Sequence, residues 1–349
     1  MRIFHWLFGA ALAVSASAAE LHFNFGDYPA GTTPTNFSSV VAGGGAPGVW
    51  KIVADDVPSA FAPFTDQAPN ISRHGVLAQT SQDATDEHFP IFVYNGEIFK
   101  DFKFTTRFKI VSGTVEQMAG VVFRFQNASN FYVCRVSALG KNLRFYKMVN
   151  GVRSEPLGPT LDIAPGTWHT LAVQAEGNQI TISLDDRLAL PPLGDNTFAD
   201  GKLGFWTKSD AVSYFTDAQV NYTPRVPVAQ QLVNTVMERE SRLLGLRIYV
   251  LGADGTTHII ASKDPGEIGR PGTDAELAAI QDGTVSYGSD KESKLVTLPM
   301  HDRNGEFVAA VRVKLKTFFG ETQNNAVTRA TNILKLLELA GTSGDDLRQ

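Results

Sequence analysis

Gly120-Val121-Val122-Phe123-Arg124-Phe125-Gln126, followed by Phe131-Tyr132-Val133-Cys134-Arg135-Val136, decides how the first two-thirds of this chain is read. Both stretches alternate at period two, the spacing of a strand with one buried face. The intervening Gln126–Asn130 turn makes them a hairpin. Val121, Phe123, Phe125, Tyr132, Cys134 and Val136 then fall on one side, suited to a core. Arg124, Gln126 and Arg135 fall on the other, and the next strand, Asn142 to Val149, adds Arg144 and Tyr146 to that side if its register allows.

Working outward, the same alternation recurs in Lys103 to Ile110, and further strands are expected at Trp168 to Ala175 and Gln179 to Leu184. Gly, Asn and Asp clusters separate them. Many short strands without intervening helices indicate a sandwich or barrel. Pro224-Arg225-Val226-Pro227 then breaks both strand and helix and marks a linker over 223–227. Beyond it the pattern changes. A helix is expected over Val228 to Leu244, then strand, hairpin turn and strand, a short helix at Thr273 to Gln281, three more strands, and a last amphipathic helix carrying Val327, Ala330, Ile333, Leu334 and Leu337.

Composition limits the function. The chain has 349 residues, enough for two domains. Its net charge is −5 with no long basic run, which excludes a phosphate-tracking nucleic-acid surface. One cysteine, Cys134, rules out an intrachain disulfide. Residues 1–19 read as a signal peptide: Arg2, an apolar Ile3 to Val14 stretch, and small residues for cleavage near Ala18 or Ala19. No later apolar run is long enough to span a bilayer, so the expected mature chain is exported, periplasmic or extracellular, without a transmembrane anchor.

Two resemblances extend this reading. Asn130 to Val136, Asn142 to Lys147, Asn150-Gly151-Val152-Arg153, Pro165 to Leu171 and Gly201 to Asp210 together resemble the concanavalin A/laminin-G superfamily, nearest its bacterial family-16-like and 3-keto-disaccharide hydrolase-like exported domains. That resemblance implies an all-β jelly-roll sandwich over 20–222. Arg247 to Gly255, Ala261 to Arg270, Val285 to Gly288 and Thr297 to Glu306 resemble the Cache group of extracytoplasmic PAS-like sensor domains. This implies a separate α+β domain with an antiparallel sheet over 228–341, leaving 342–349 as a flexible tail. In such domains the ligand lies between the sheet and the loop-helix segment after the second strand. The matching small-ligand candidates are Tyr249, Arg270, Tyr287, His301 and Asp302.

The carbohydrate-binding candidates are Arg124, Arg135, Arg144, Tyr146 and Trp206, because guanidinium forks and aromatic faces suit sugar hydroxyls and rings. Catalytic residues are not assigned. Paired acid/base work needs two carboxylates on one face, and a Glu-x-Asp-x-Glu strand pattern does not occur. Asp55-Asp56 and Asp185-Asp186 are adjacent and read as turns. No cofactor is expected. Asp83, Asp86 and Glu87 are the candidates for a calcium ion, and no histidine spacing suggests zinc. The expected function is a non-catalytic recognition protein: carbohydrate on the sandwich, a small ligand on the Cache-like domain, and a protein partner on its terminal helices. The alternatives are a glycan-processing hydrolase of the 3-keto-disaccharide type and a structural or adhesive protein.

Overall fold

The computed structural model describes residues 18–59, 65, 70–289, 291–339 and 347. The expected signal peptide lies almost entirely outside them; the first described strand, Ala19–Phe23, begins at the expected cleavage site. The chain divides into two compact units between Arg225 and Val226.

The first unit is a sandwich of two antiparallel sheets. Seven strands form one, in the order Val152–Arg153, Asn142–Val149, Asn130–Ser137, Met118–Asn127, Lys202–Trp206, His88–Tyr94 and Phe37–Gly43. The other is nine-stranded, with Phe102–Ser112 and Val212–Tyr222 at its centre. Its strand Trp168–Glu176, expected over Trp168 to Ala175, pairs with Phe102–Ser112 on one side and with Gln179–Leu184 on the other. The space between the sheets is filled with aromatic rings. Phe37 and Trp50 stack on Phe92 at centroid distances of 4.8 and 5.2 Å. Large rings bury 150–250 Å² each, so this layer supplies much of the driving force for docking the sheets.

The hairpin at 118–137 departs from simple alternation. Val121, Phe123, Tyr132, Cys134 and Val136 enter the inter-sheet core as expected. Phe125 does not: it joins Val122, Phe131 and Val133 in a second apolar layer on the opposite face of the sheet. The cause is an irregularity between Phe123 and Asn127, where the register shifts and Arg124 takes a positive φ of 46°. One extra residue in a strand reverses the facing of everything beyond it. Arg124 is thereby turned inward and is fully buried. The sheet is apolar on both faces here, which is why the stretch reads as nearly continuous hydrophobic residues.

The second unit is a five-stranded antiparallel sheet, in the order Thr257–Ser262, Leu243–Leu251, Phe307–Lys316, Ser293–His301 and Ser286–Ser289. In chain order that is 2-1-5-4-3. Helices α1 (Val228–Arg239) and α3 (Gln323–Glu338) pack on one face over Leu246, Ile248, Val296, Val311 and Val313. Helix α2 (Asp274–Asp282) packs on the other, over Tyr249, Ile259 and Ala310. Two expectations change. The first helix ends at Arg239, with Glu240 leaving helical geometry, and Leu243 opens a strand whose apolar side chains the sheet uses. Leu347, within the stretch read as a flexible tail, is buried in the α1/α3 core.

A candidate saccharide pocket on the seven-stranded sheet

The pocket is built from cross-strand rows. In antiparallel pairing, directly opposed residues share a face. Ile91, Trp206, Gly120, Arg135 and Arg144 form one such row across five strands. Val122, Val133 and Tyr146 form the next on the same face. Trp206 lies beneath the pocket that these rows frame, stacked on Phe89 at 5.6 Å and only 1% exposed, so its indole belongs to the apolar layer there. Gly120 beside it has no side chain, so the row dips between the indole and Arg135. The resulting pocket of about 230 Å³ is lined by Glu116, Met118, Arg135, Tyr146, Arg153, Pro156, Trp206 and Lys208.

Charged groups ring its mouth. The Lys208 ammonium pairs with Asp86 at 2.8 Å and Glu116 at 3.0 Å. Arg153 pairs with Glu87 at 3.2 Å, and its guanidinium lies 5.8 Å from the centre of the Tyr146 ring. Burial pushes the Tyr146 hydroxyl far above its ordinary value, so it stays a neutral donor and acceptor. The Arg135 guanidinium donates to the Asn142 side-chain oxygen and makes no ion pair among the described residues. Burial lowers its pKa, against the opposing pull of the Tyr146 and Glu116 side chains.

Sequence reasoning placed five side chains here, and the structure sorts them. Arg135, Tyr146 and Trp206 line the pocket. Arg144 stands next to Arg135 in the row, but its Nη1 donates to the carbonyls of Leu143, Gly158 and Pro159 at 2.6–3.0 Å, tying the 157–159 segment to the sheet edge. Arg124 is not on this face. Its guanidinium donates to the carbonyl oxygens of Phe198, Lys100 and Gly177 at 2.9, 3.1 and 2.6 Å, a wholly internal set of bonds. Glu116, Arg153 and Lys208 were missed. Lys208 lies two residues past Trp206 and Glu116 two before Met118, so extending period two beyond the apolar runs was the available signal.

The calcium candidates do not converge. Asp83 accepts from Thr85 N at 3.0 Å, Thr85 Oγ1 at 2.6 Å and Ala46 N at 3.1 Å, bonds that hold its carboxyl down at about 2. Asp86 and Glu87 face Lys208 and Arg153 instead. Each carboxylate is engaged by at least one protein donor, and no group of three or more acidic, His or Cys side chains that could hold a metal occurs among the described residues.

The five small-ligand candidates of the second unit do not form one site. Tyr249 is buried on the α2 face, beneath Arg312 at 5.4 Å. Tyr287 packs with the α1/α3 core on the opposite face. His301 bonds Glu338 of α3 at 3.0 Å. Asp302 caps its hairpin turn, accepting from Asn304 N at 2.8 Å and Glu306 N at 3.0 Å. Arg270 is exposed in its loop. The space where a ligand was expected, between sheet and α2, holds the fully buried Glu276 side chain. Its carboxylate pairs with Arg312 and accepts from Thr297 Oγ1, Thr273 Oγ1 and Thr273 N. The apolar faces of the terminal helices are likewise spent on the sheet, through Val233, Val236, Ala330 and Leu334 among others. No helix of the described residues is long and apolar enough to cross a membrane.

No family model matches the chain. A levanase from Bacillus subtilis (strain 168) is 28% identical over 114 residues, which is 32% of this chain and 17% of the levanase, so the chain spans about a sixth of that relative's length. Among solved structures, a carbohydrate-binding module from Bacillus subtilis is similar over 49% of this chain and 94% of the module, at 20% identity and a TM-score of 0.38. A native glycosidic hydrolase is similar over 60% of this chain and 97% of its own, at 10% identity and a TM-score of 0.37. A protein of unknown function from Shewanella oneidensis MR-1 is similar over 62% of this chain and 92% of its own, at 13% identity and a TM-score of 0.38.

Proposed function

We propose that this chain is an exported recognition protein whose sandwich holds one sugar unit of a glycan in the pocket over Trp206. The observation that carries this reading is Arg135, a guanidinium that makes no ion pair among the described residues and lines an opening of about 230 Å³ together with Arg153, Glu116 and Lys208. That volume lies below the roughly 300–1,000 Å³ of drug-sized ligand sites and suits a single monosaccharide. Arg135, Arg153 and Lys208 offer donors to hydroxyls, and Glu116 an acceptor. The similarity to a levanase supports a saccharide as ligand.

Binding is preferred over hydrolysis because of the acids present. Glycoside cleavage by the common route needs two carboxyl groups flanking the bond. Glu116 is the carboxylate lining this pocket, and Lys208 holds it. The second unit, with its 2-1-5-4-3 antiparallel order and helices on both faces, suits a PAS-like domain of the Cache kind. Its internal Glu276–Arg312 pair favours a scaffold or partner-facing role there over small-ligand capture.

The test is retention of the full-length mature chain on a panel of immobilised polysaccharides, run beside a reducing-sugar release assay. Retention without release, lost on Arg153→Ala, is the expected result. Sugar release would transfer the reading to the hydrolase alternative; no retention on any glycan would remove it.

A further inference from the structure

We infer that the sugar unit taken by this pocket is acidic, a uronate whose carboxylate lies against Arg135; the inference rests on the saccharide reading above. Arg135 and Arg144 are directly opposed across adjacent strands. Like charges in that position repel and destabilise the pair. Neither has a carboxylate partner among the described residues: Arg144 is satisfied by backbone carbonyls and Arg135 by the Asn142 side chain. The other cations at the pocket are already matched, Lys208 by Asp86 and Glu116, Arg153 by Glu87. The carboxylates of the site are thus paired with Lys208 and Arg153, and Arg135 is left without an ion pair of its own among the described residues.

A half-buried guanidinium that lacks a counter-ion is costly to maintain in the empty pocket. The lowered pKa of Arg135 expresses the same cost. A ligand carboxylate relieves it twice, by a forked charge-assisted hydrogen bond and by screening Arg135 from Arg144. A neutral sugar offers only hydroxyl acceptors there. The other hydroxyls of the ring still meet Arg153, Glu116 and Lys208, so the acid selects among saccharides and does not replace those contacts.

The experiment titrates the full-length mature chain, by calorimetry and by tryptophan fluorescence, with glucuronate, galacturonate, their neutral counterparts glucose and galactose, fructose, and acetate. The expected result is a uronate preference of about tenfold or more over the matching neutral hexose, weakening with salt; Arg135→Gln weakens both kinds of sugar but the uronate more, so that the preference is lost. Arg135→Lys, which keeps charge but not the fork, retains part of the preference. Unchanged thermal midpoints in both variants show that the pocket still folds. Equal affinity for acidic and neutral sugars overturns this inference and leaves the saccharide reading standing. Acetate binding as tight as uronate also overturns it, because the ring then contributes nothing. No binding of any sugar removes the saccharide reading and this inference together.

Discussion

Trp206 and Arg135 stand on either side of Gly120 in one cross-strand row, with no side chain between indole and guanidinium. A Cβ at Gly120 would lie 2.5 Å from the Cys134 carbonyl oxygen and 2.8 Å from the Arg135 Cβ, so backbone must move to admit it. Gly120→Ala is expected to destabilise the first unit by about 1–3 kcal/mol and to weaken glycan retention by displacing Arg135. Urea unfolding of the variant beside the parent checks the first effect, and polysaccharide retention the second.

Arg124 is expected to matter for stability and not for binding. Arg124→Met removes the donors that this part-buried guanidinium network gives to three carbonyls and should cost roughly 3 kcal/mol, with glycan retention intact in the folded fraction. Loss of retention in a variant with unchanged unfolding midpoint would show that its side chain serves the ligand.

Glu276→Gln leaves the Arg312 guanidinium, 17% exposed, without its counter-ion. Removing one partner of a buried pair costs about 3–5 kcal/mol. Hydrogen exchange followed by mass spectrometry should show lost protection in α2 and the strands beneath it, with the sandwich unaffected.

Acid should act on the second unit through Glu267. Hydrogen bonds from Arg247 and Ser262 lower its carboxyl from 4.5 to about 2. A folded-state value below the unfolded one means that the unfolded chain binds the proton more readily. The contribution of Glu267 is therefore complete above pH 4.5 and is lost as pH falls toward 2. Glu267→Gln should flatten the fall in stability over that interval, measured as the urea midpoint at successive pH values.

Cys134 is fully buried in the inter-sheet core, and desolvation raises its thiol pKa well above the ordinary range. Aromatic disulfide reagents should leave it unmodified in the native chain at neutral pH and modify it stoichiometrically in denaturant. Rapid native labelling would contradict the packing described for the Asn130–Ser137 strand.

The sandwich was legible because inter-sheet packing imposes period two, and Val121, Phe123, Tyr132, Cys134 and Val136 obey it. Arg124 defeated the reading because alternation assumes that every residue advances the strand by one step. A positive φ at one non-glycine position carries no compositional mark, and it reversed both Arg124 and Phe125. Arg135, Tyr146 and Trp206 were found because regular strands carry them. The charged rim was not, since Glu116 and Lys208 lie just past strand ends, where alternation had stopped being followed. In the second unit, Glu276 sits in a helix first turn, where an acidic residue is ordinary. Only the sheet brings Arg312, Thr297 and Tyr249 beneath it.

The inward turn at Arg124 also bears on the order in which the sandwich assembles. Its guanidinium clasps carbonyls that lie 24, 53 and 74 residues away along the chain. Lys100 and Gly177 flank strands of the nine-stranded sheet, while Arg124 itself belongs to the seven-stranded one. The clasp closes only after both sheets have formed and met, so it is absent from an early nucleus. Its loss should accelerate unfolding and leave the refolding rate nearly unchanged, making this single arginine a determinant of how long the native fold persists.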